Sequence, residues 1–175
     1  PNAIIVTKDR WKQDIEHVGG SGMCPMIWKF YDPNSSYPSN NTSYTSTKDI
    51  FLFRLADTYL LAAEAYYKAG DSQKAAERIN KVRERAALPG HAADMDIKPE
   101  QVDIDFILDE RAREMAGEYN RWMDLKRTGK LIERTLKYNN LAGKINKMDN
   151  HILLRPIPQS VIDQTTGDFK QNTGY

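Results

Sequence analysis

Apolar residues recur at helical spacing along two neighbouring stretches in the middle of the chain. The run Ile50–Ala69 carries a wide apolar arc, which predicts a helix packed on more than one side, with Asp49 as its N-cap. In residues 72–86 an apolar stripe lies opposite a charged one and predicts a second helix, capped by Asp71 or Ser72. Because the joint between them is short, the two helices should form an antiparallel hairpin.

This hairpin resembles one tetratricopeptide unit. Large, small and glycine residues fall where that repeat requires them, at Tyr59, Ala63, Tyr66, Gly70, Ala75 and Ile79. The chain contains one clear copy, whereas a solenoid needs several stacked units. A standard repeat array is therefore not predicted, although a single tetratricopeptide-like scaffold that binds a protein or peptide stays open as an alternative function.

The remainder of the chain beyond this hairpin is also mainly helical in pattern. Asp103 caps a third predicted helix, whose apolar residues extend over 104–116. The short piece Ile152–Leu154 is predicted to be extended, and two closely following prolines end it. Two shorter helices are predicted at Asn120–Thr128 and Lys130–Lys137. The expected fold is mainly α, with a tetratricopeptide-like hairpin, further helices, long loops and a few short strands.

Residues 1–49 have a different composition. Short apolar runs at Ala3–Thr7 and Met26–Tyr31 predict extended segments. Asn34–Thr47 consists almost entirely of Asn, Ser and Thr, without charge or periodicity, and is predicted to be a loop. We therefore expect a loop-rich segment with short strands at 1–49 and a helical domain at 50–175. Together they form one domain or part of a larger one.

Charge and cysteine content exclude several kinds of function. The 25 Lys and Arg against 24 Asp and Glu leave a formal net charge of +1, which gives no reason to expect nucleic acid or an anionic membrane surface as a partner. The single cysteine, Cys24, excludes an internal disulfide and a multi-cysteine metal site. His17, His91 and His151 lack metal-ligand spacing. Neither a metal nor another cofactor is predicted.

A dense cluster of charged residues occupies positions 109–124. Glu110 and Glu114 are four residues apart and share one helix face, an arrangement that suggests a general acid and base as in a glycosidase. The neighbouring arginines favour a different interpretation, a salt-bridged helix face, since they would keep the carboxylates ionised. The expected local pairs are Asp109–Arg113, Glu110–Arg113 and Arg111–Glu114. The protein is thus predicted not to be an enzyme.

The first part of the chain concentrates aromatic residues in loops. A Trp or Tyr ring presents a flat apolar face with a polar edge, which suits stacking on a sugar ring. Tyr37 and Tyr44 are isolated among neutral polar residues and are the strongest candidates. For Trp28 and Phe30 the alternative is burial against the helices. The candidate ligand-binding residues are Trp28, Tyr31, Tyr37 and Tyr44.

Several segments, in order along the chain, resemble the SusD/RagB-like proteins. RLADTYLLAAEA at 54–65 and INKVRERA at 79–86 are similar to the helical core of that family. ILDERAREMAGEYNRWMDLKR at 107–127 resembles its most distinctive segment. LLRPIPQS at 153–160 and QNTGY at 171–175 are similar to its C-terminal signature. Together these segments cover the helical domain, so the chain looks like the C-terminal part of a family member.

The resemblance implies a non-enzymatic nutrient-binding lipoprotein on the bacterial outer-membrane surface. Such a protein captures oligosaccharides, or sometimes peptides, and passes them to a TonB-dependent SusC-like transporter. It reaches the membrane only through a lipid anchor that is absent from this chain. Val161 and Thr173 depart from the family pattern, where Glu and Pro are usual. The resemblance also implies a structural salt-bridge network of Glu110, Arg111, Glu114, Glu118 and Arg121.

Overall fold

The structure is a computed structural model of the 175-residue chain. It describes Lys29, Asp32 and residues 48–139, 142 and 148–175. By its contacts the chain divides into two compact units, Pro1–Leu52 and Phe53–Tyr175. Three predicted segments lie outside the described residues and stay predictions, namely Ala3–Thr7, Asn34–Thr47 and, except for Lys29, Met26–Tyr31.

Helices dominate the part of the chain that the structure describes. The α-helices there are α1 (Leu55–Lys68), α2 (Ser72–Ala86), α3 (Ile104–Glu114), α4 (Arg121–Arg127), α5 (Leu131–Tyr138) and α6 (Gln159–Gln164). Short 3₁₀ helices occur at Ala93–Met95, Pro99–Gln101 and Asn150–Leu153. No β-strand occurs among these described residues. The mainly α fold class predicted from the sequence is confirmed.

The first helix begins later than its apolar pattern predicts. Instead of starting at Ile50 with Asp49 as its cap, α1 starts directly after Arg54, whose backbone is extended with φ −145° and ψ 157°. The Arg54 guanidinium donates to the backbone carbonyl of Glu114 at 2.6 Å, and its Nε donates to Glu118 at 3.0 Å. These contacts hold Arg54 against the end of α3, and its extended backbone sets the start of the helix.

Helices α1 and α2 form the predicted hairpin around small buried side chains. Gly70 in the joint has φ +83°, in the left-handed region that favours glycine. Asp71 caps α2, as predicted, by accepting a hydrogen bond from the Lys74 backbone N–H at 3.0 Å. The shared core of the two helices contains Leu60, Ala63, Ala75, Ala76 and Ile79.

Side chains of α2 hold the segment between α2 and α3. Asn80 uses its amide twice, donating to the Ile97 carbonyl at 3.1 Å and accepting from the Ile97 N–H at 2.9 Å. Arg83 donates from Nε to the Met95 carbonyl at 2.6 Å. These side chains satisfy backbone groups that have no hydrogen-bond partner within a helix. They also hold Ile97 in the core cluster to which Ile107 of α3 belongs.

A second core cluster connects α3, α4 and α5. It contains Leu108, Leu125 and Leu131, one from each helix. Asp103 caps α3 as predicted, by accepting from the Phe106 N–H at 2.6 Å. Helices α4 and α5 lie close to their predicted ranges, and their ends differ only by the fraying usual at helix termini.

The prediction of an extended segment at Ile152–Leu154 is wrong for Ile152 and Leu153, and only Leu154 has an extended backbone, with φ −112° and ψ 137°. Asn150–Leu153 forms a 3₁₀ helix instead, because the Asp149 carboxylate accepts from the His151 N–H at 2.9 Å and closes a tight turn. Helix α6, which the sequence pattern did not predict, is a short helix that follows Pro158 directly. Proline at that point fixes a backbone angle compatible with a helix start.

Amide side chains tie the end of the chain to residues 155–157. Gln171 donates from Nε2 to the Ile157 carbonyl at 2.8 Å, and its Oε1 accepts from the Ile157 N–H at 2.7 Å. Asn172 donates to the Arg155 carbonyl at 2.7 Å. Two irregular segments are thus paired through side chains, which satisfies backbone groups without a β-ladder.

Ala63→Leu tests the packing of the hairpin. Ala63 is fully buried in the shared core of α1 and α2, so three extra carbon atoms have no room. We expect a loss of about 1–3 kcal/mol in the free energy of unfolding, measured by urea denaturation. Ala65→Leu, at an exposed position of the same helix, is the matched control. Equal stability of the two variants would contradict the hairpin packing.

Candidate functional site

Charged side chains occupy the interior of the unit Phe53–Tyr175, here called the helical unit. Removing an ion from water costs several kcal/mol unless other groups pair with it and hydrogen-bond to it. Arg111 and Glu64 are each only 2% exposed, so their partners decide whether this arrangement is stable. The buried charged residues of this unit are Asp57, Glu64, Glu110, Arg111, Asp124 and Arg134.

Arg111 of α3 connects three helices. Its Nη2 donates to Asp57 of α1 at 2.7 Å, and its Nε donates to Asp124 of α4 at 2.7 Å. All three side chains are buried. Because a guanidinium carries its donors in a rigid plane, these two bonds define the positions of α1 and α4 relative to α3.

Glu64 extends the same network along α1. Arg127 at the end of α4 donates to both Glu64 oxygens, with Nη2 2.8 Å from Oε2, and Lys68 donates to Oε1 at 2.7 Å. Arg127 also donates to Asp124 at 3.3 Å. Burial by itself raises the Glu64 pKa, but the hydrogen bonds from Arg127 and Lys68 outweigh it and hold that pKa below its ordinary value of 4.5.

A second group of ion pairs closes the end of α3. Arg54 bonds both Glu114 and Glu118, and Arg85 of α2 also pairs with Glu114. The Glu114 and Glu118 side chains are each 11% exposed. Burial lowers the pKa of Arg54, whereas its bonds to Glu118 and Glu114 raise it, and the net shift is upward. The start of α1 is therefore anchored to the end of α3 by charge.

The other carboxylates of α3 are engaged as well. Glu110 accepts from Arg83 of α2 at 2.8 Å and from Arg113 at 2.7 Å. Arg134 of α5 is buried and bonds Asp109 and Asp105, the latter at 2.7 Å. Each of these three carboxylates thus has a guanidinium partner from another helix, and Glu110 has a second one from α3 itself.

The residues of the predicted salt-bridge network are close together, but most of their ion pairs differ from the pairs expected within one helix. Of the three expected pairs, Glu110–Arg113 forms. The partners of Asp109, Arg111 and Glu114 lie instead on other elements of the fold. Arg121 makes no ion pair among the described residues, and it donates to the Leu108 carbonyl at 2.7 Å.

Sequence reasoning missed the partners that lie in α1, in α4 and directly before α1, namely Arg54, Asp57, Glu64, Asp124 and Arg127. A signal for three of them exists. Arg54, Asp57 and Glu64 interrupt an otherwise apolar run, and a charge on a buried helix face needs a partner. Which residue serves as that partner depends on how the helices pack, so the sequence alone does not identify it.

The four aromatic candidates, Trp28, Tyr31, Tyr37 and Tyr44, lie outside the described residues and stay predictions. Among the described residues, the most exposed aromatic ring belongs to Tyr119, in the turn between α3 and α4, at 91% exposure. Trp122 at the start of α4 is partly exposed, with the Arg155 guanidinium 5.8 Å from its ring centroid. Neither was proposed from the sequence, because both fall within an apparently helical, charged segment.

Two of the depressions in the described part of the helical unit differ in size and lining. A small cavity of about 150 Å³, here called the arginine cavity, is bounded by the end of α3, the following turn and α4, and both Arg111 and Arg121 line it. A wider cleft of about 570 Å³ is lined by polar groups that include Asn150, His151 and Thr173. No group of His, Cys, Asp and Glu suited to a metal ion occurs among the residues described.

A helix that crosses a bilayer core of about 30 Å needs roughly 20 mostly apolar residues. Among the described helices, none combines that length with that apolar character.

Comparison with known proteins identifies the family. The SusD family model matches residues 8–175, so the chain belongs to the SusD family, as the sequence motifs predicted. SusD-like protein P38 of Formosa agariphila is 34% identical over 138 residues, which cover 75% of this chain and 24% of that protein. The starch-binding protein SusD of Bacteroides thetaiotaomicron is 31% identical over 156 residues, which cover 88% of this chain and 26% of that protein.

A further relative, SusD-like protein P25 of Formosa agariphila, is 36% identical over 121 residues, with 68% of this chain and 23% of that protein covered. The chain thus spans about a quarter of the length of the curated relatives it matches. No solved structure gave a significant match.

Asp57→Asn tests the central ion pairs. Asparagine keeps the shape of the side chain but removes its charge, which leaves the buried Arg111 with one carboxylate partner fewer. We expect a loss of about 3–5 kcal/mol in the free energy of unfolding. The control is Asp94→Asn, because that carboxylate is 73% exposed and its ion-pair partner among the described residues is His91. Equal urea midpoints for both variants would contradict a structural role for the buried pair.

Glu64→Gln tests the acid sensitivity of the network. Because the folded-state pKa of Glu64 lies below 4.5, its ionised form stabilises the fold above that pH. Below pH 4.5 the unfolded state takes up the proton first, and this contribution is lost as the pH falls further, through the lower pKa of the folded state. The stability difference between wild type and Glu64→Gln should therefore shrink on acidification. Urea midpoints at several pH values measure it, with exposed Glu100→Gln as the control, and a difference that does not change with pH would contradict the pairing.

Proposed function

We propose that the protein binds glycan at the bacterial cell surface without turnover and delivers it to a TonB-dependent, SusC-like transporter. The observation that carries this proposal is family membership over residues 8–175, together with similarity to a relative named for binding starch. We further propose that a lipid anchor holds the protein on the outer membrane, as in the family it resembles.

The state of the carboxylates supports binding rather than hydrolysis. A glycosidase needs one carboxylic acid that gives its proton to the leaving group and one carboxylate that faces the sugar. Glu110 and Glu114, the pair considered for that role, each accept hydrogen bonds from two guanidinium groups. Arg83 and Arg113 both bond Oε2 of Glu110, and Arg54 and Arg85 both bond Oε1 of Glu114.

The tetratricopeptide-like alternative has less support. Helices α1 and α2 form one hairpin, while the other described helices pack around it through ion pairs and two separate core clusters. A repeat scaffold that binds peptides uses the concave surface of several stacked hairpins. Glycan binding is therefore the function that we test first.

Affinity gel electrophoresis tests this proposal directly. The protein is run through gels that contain soluble starch or one of a panel of neutral and acidic polysaccharides. We expect retardation by at least one polysaccharide and no release of reducing sugar during prolonged incubation with it. Release of reducing sugar, or binding of peptides with no retardation by any polysaccharide, would reject glycan capture.

Tyr37→Ala and Tyr44→Ala test the aromatic residues of the polar loop. If each ring stacks on a sugar, its removal should weaken binding of the retarding polysaccharide by about twofold to thirtyfold, or roughly 0.5–2 kcal/mol. The loss should depend little on salt, because the loop carries no charge. Tyr138→Ala, at an exposed tyrosine of α5, is the matched control. Wild-type affinity in both loop variants would remove these residues from the binding site.

A further inference from the structure

The wider cleft differs from the arginine cavity in the charge of its lining. The arginine cavity is lined by two guanidinium groups and two carboxylates. None of the described residues that line the wider cleft is Lys or Arg, and its one carboxylate belongs to Asp149. Its volume of about 570 Å³ lies within the roughly 300–1,000 Å³ usual for small-molecule sites. An anion is disfavoured there, because no Lys or Arg of the lining offsets the charge of Asp149.

Two segments that are distant in neither space nor hydrogen bonding form the walls of this cleft. One wall belongs to residues 149–154, and the other consists of residues 173–174. Gly174 has φ +101°, and a Cβ at this position would lie 2.6 Å from the Cβ of His151. The amide side chains that tie the end of the chain to residues 155–157 hold the same two segments together. The shape of the cleft thus depends on a close approach that glycine permits.

Both walls present polar side chains. Those of Asn150 and Thr173 are exposed, and neither has a hydrogen-bond partner among the described residues. An amide and a hydroxyl can each donate and accept. The His151 side chain is 29% exposed and bonds Asp149 through Nδ1, so in the neutral ring Nε2 is the acceptor. Neutral donors and acceptors on two walls suit a ligand that carries several hydroxyl groups.

Apolar surface lies beside these polar groups. Leu154 lines the cleft and is 55% exposed. The Tyr175 ring makes a T-shaped contact with the His151 ring, with the centroids 5.2 Å apart, and it is 48% exposed. A sugar ring has an apolar C–H face and a rim of hydroxyl groups, so it matches a cleft that offers both kinds of surface.

We propose that the wider cleft binds one neutral sugar unit. Asn150, Thr173 and His151 bond the sugar hydroxyl groups, and the apolar face of the ring lies toward Leu154. Asp149 selects against an acidic sugar, because two like charges about 4 Å apart in water repel enough to weaken binding roughly fivefold. This inference rests on the proposed glycan function, and it adds a sugar contact in the helical unit and a substrate class, neutral glycan.

Proton NMR of the histidine rings tests the cleft, because the chain has only three histidines. The variant His151→Gln assigns the His151 signals by their loss. The wild type is titrated with glucose, galactose and mannose at neutral pH, and at least one of these sugars should shift the His151 signals saturably. His91 is the internal control, because it pairs with Asp94 at 2.7 Å but does not line the cleft. No saturable shift at His151, or equal shifts at both histidines, overturns the proposal.

Uronic acids test the selection by charge. Glucuronate, galacturonate and mannuronate each differ from the corresponding hexose in carrying a carboxylate. The acidic counterpart of the sugar that binds should bind about fivefold more weakly or less tightly still. Equal affinity of the two would overturn the assignment of a neutral substrate class.

Two variants test the polar contacts. Thr173→Val removes a hydroxyl at nearly constant shape, and Asn150→Ala removes an amide. Each should weaken binding of the sugar about twofold to tenfold, as expected for the loss of one hydrogen bond. Because both side chains are exposed, neither change should disturb folding. Thr166→Val, at an exposed threonine that does not line the cleft, should keep wild-type affinity. Wild-type affinity in both cleft variants overturns the proposal.

The cleft and glycan capture can fail separately. Retardation by a polysaccharide without any shift at His151 supports glycan capture and rejects the cleft as a sugar site. A saturable shift at His151 with no retardation by any polysaccharide supports the cleft and rejects glycan capture.

Discussion

The helical unit depends on a buried guanidinium shared between two aspartates. Arg111 is 2% exposed, and its bonds of 2.7 Å to Asp57 and Asp124 join α3 to α1 and α4. A buried charge is tolerated only when good geometry offsets its lost hydration, so small shifts of either helix are costly. The packing of Leu60, Ala63 and Ile79 stabilises the fold through the hydrophobic effect, which is non-directional and so does not by itself select one arrangement of the helices. The ion pairs restrict that packing to one arrangement of the helices.

The same constraint bears on function. Carboxylates that could serve as acid and base are bound by guanidinium groups from other parts of the fold, as Glu110 is by Arg83 and Glu114 by Arg54 and Arg85. Residues 107–127 therefore have a structural role, because their ion pairs fix α3 and α4 against the hairpin.

Local chemistry was enough to predict much of the helical framework. Asp71 and Asp103 cap helices as their positions in sequence indicate, because a carboxylate satisfies the free N–H groups of a first turn wherever that turn lies. The α1–α2 hairpin follows in the same way from a glycine joint between two apolar stripes. Family membership could also be read from the sequence, since its motifs are contiguous runs of residues.

Only the tertiary structure decided the start of α1, the turn at Asn150–Leu153 and the partners of the buried charges. The apolar run from Ile50 favours a helix locally, yet Arg54 is held in an extended conformation by Glu114 and Glu118, about sixty residues further along the chain. Arg111 likewise bonds a residue 54 positions away rather than its helical neighbour. Hydrophobic periodicity reports which face of a helix is buried. It carries no information on which distant charge will lie opposite, because that depends on how the helices pack.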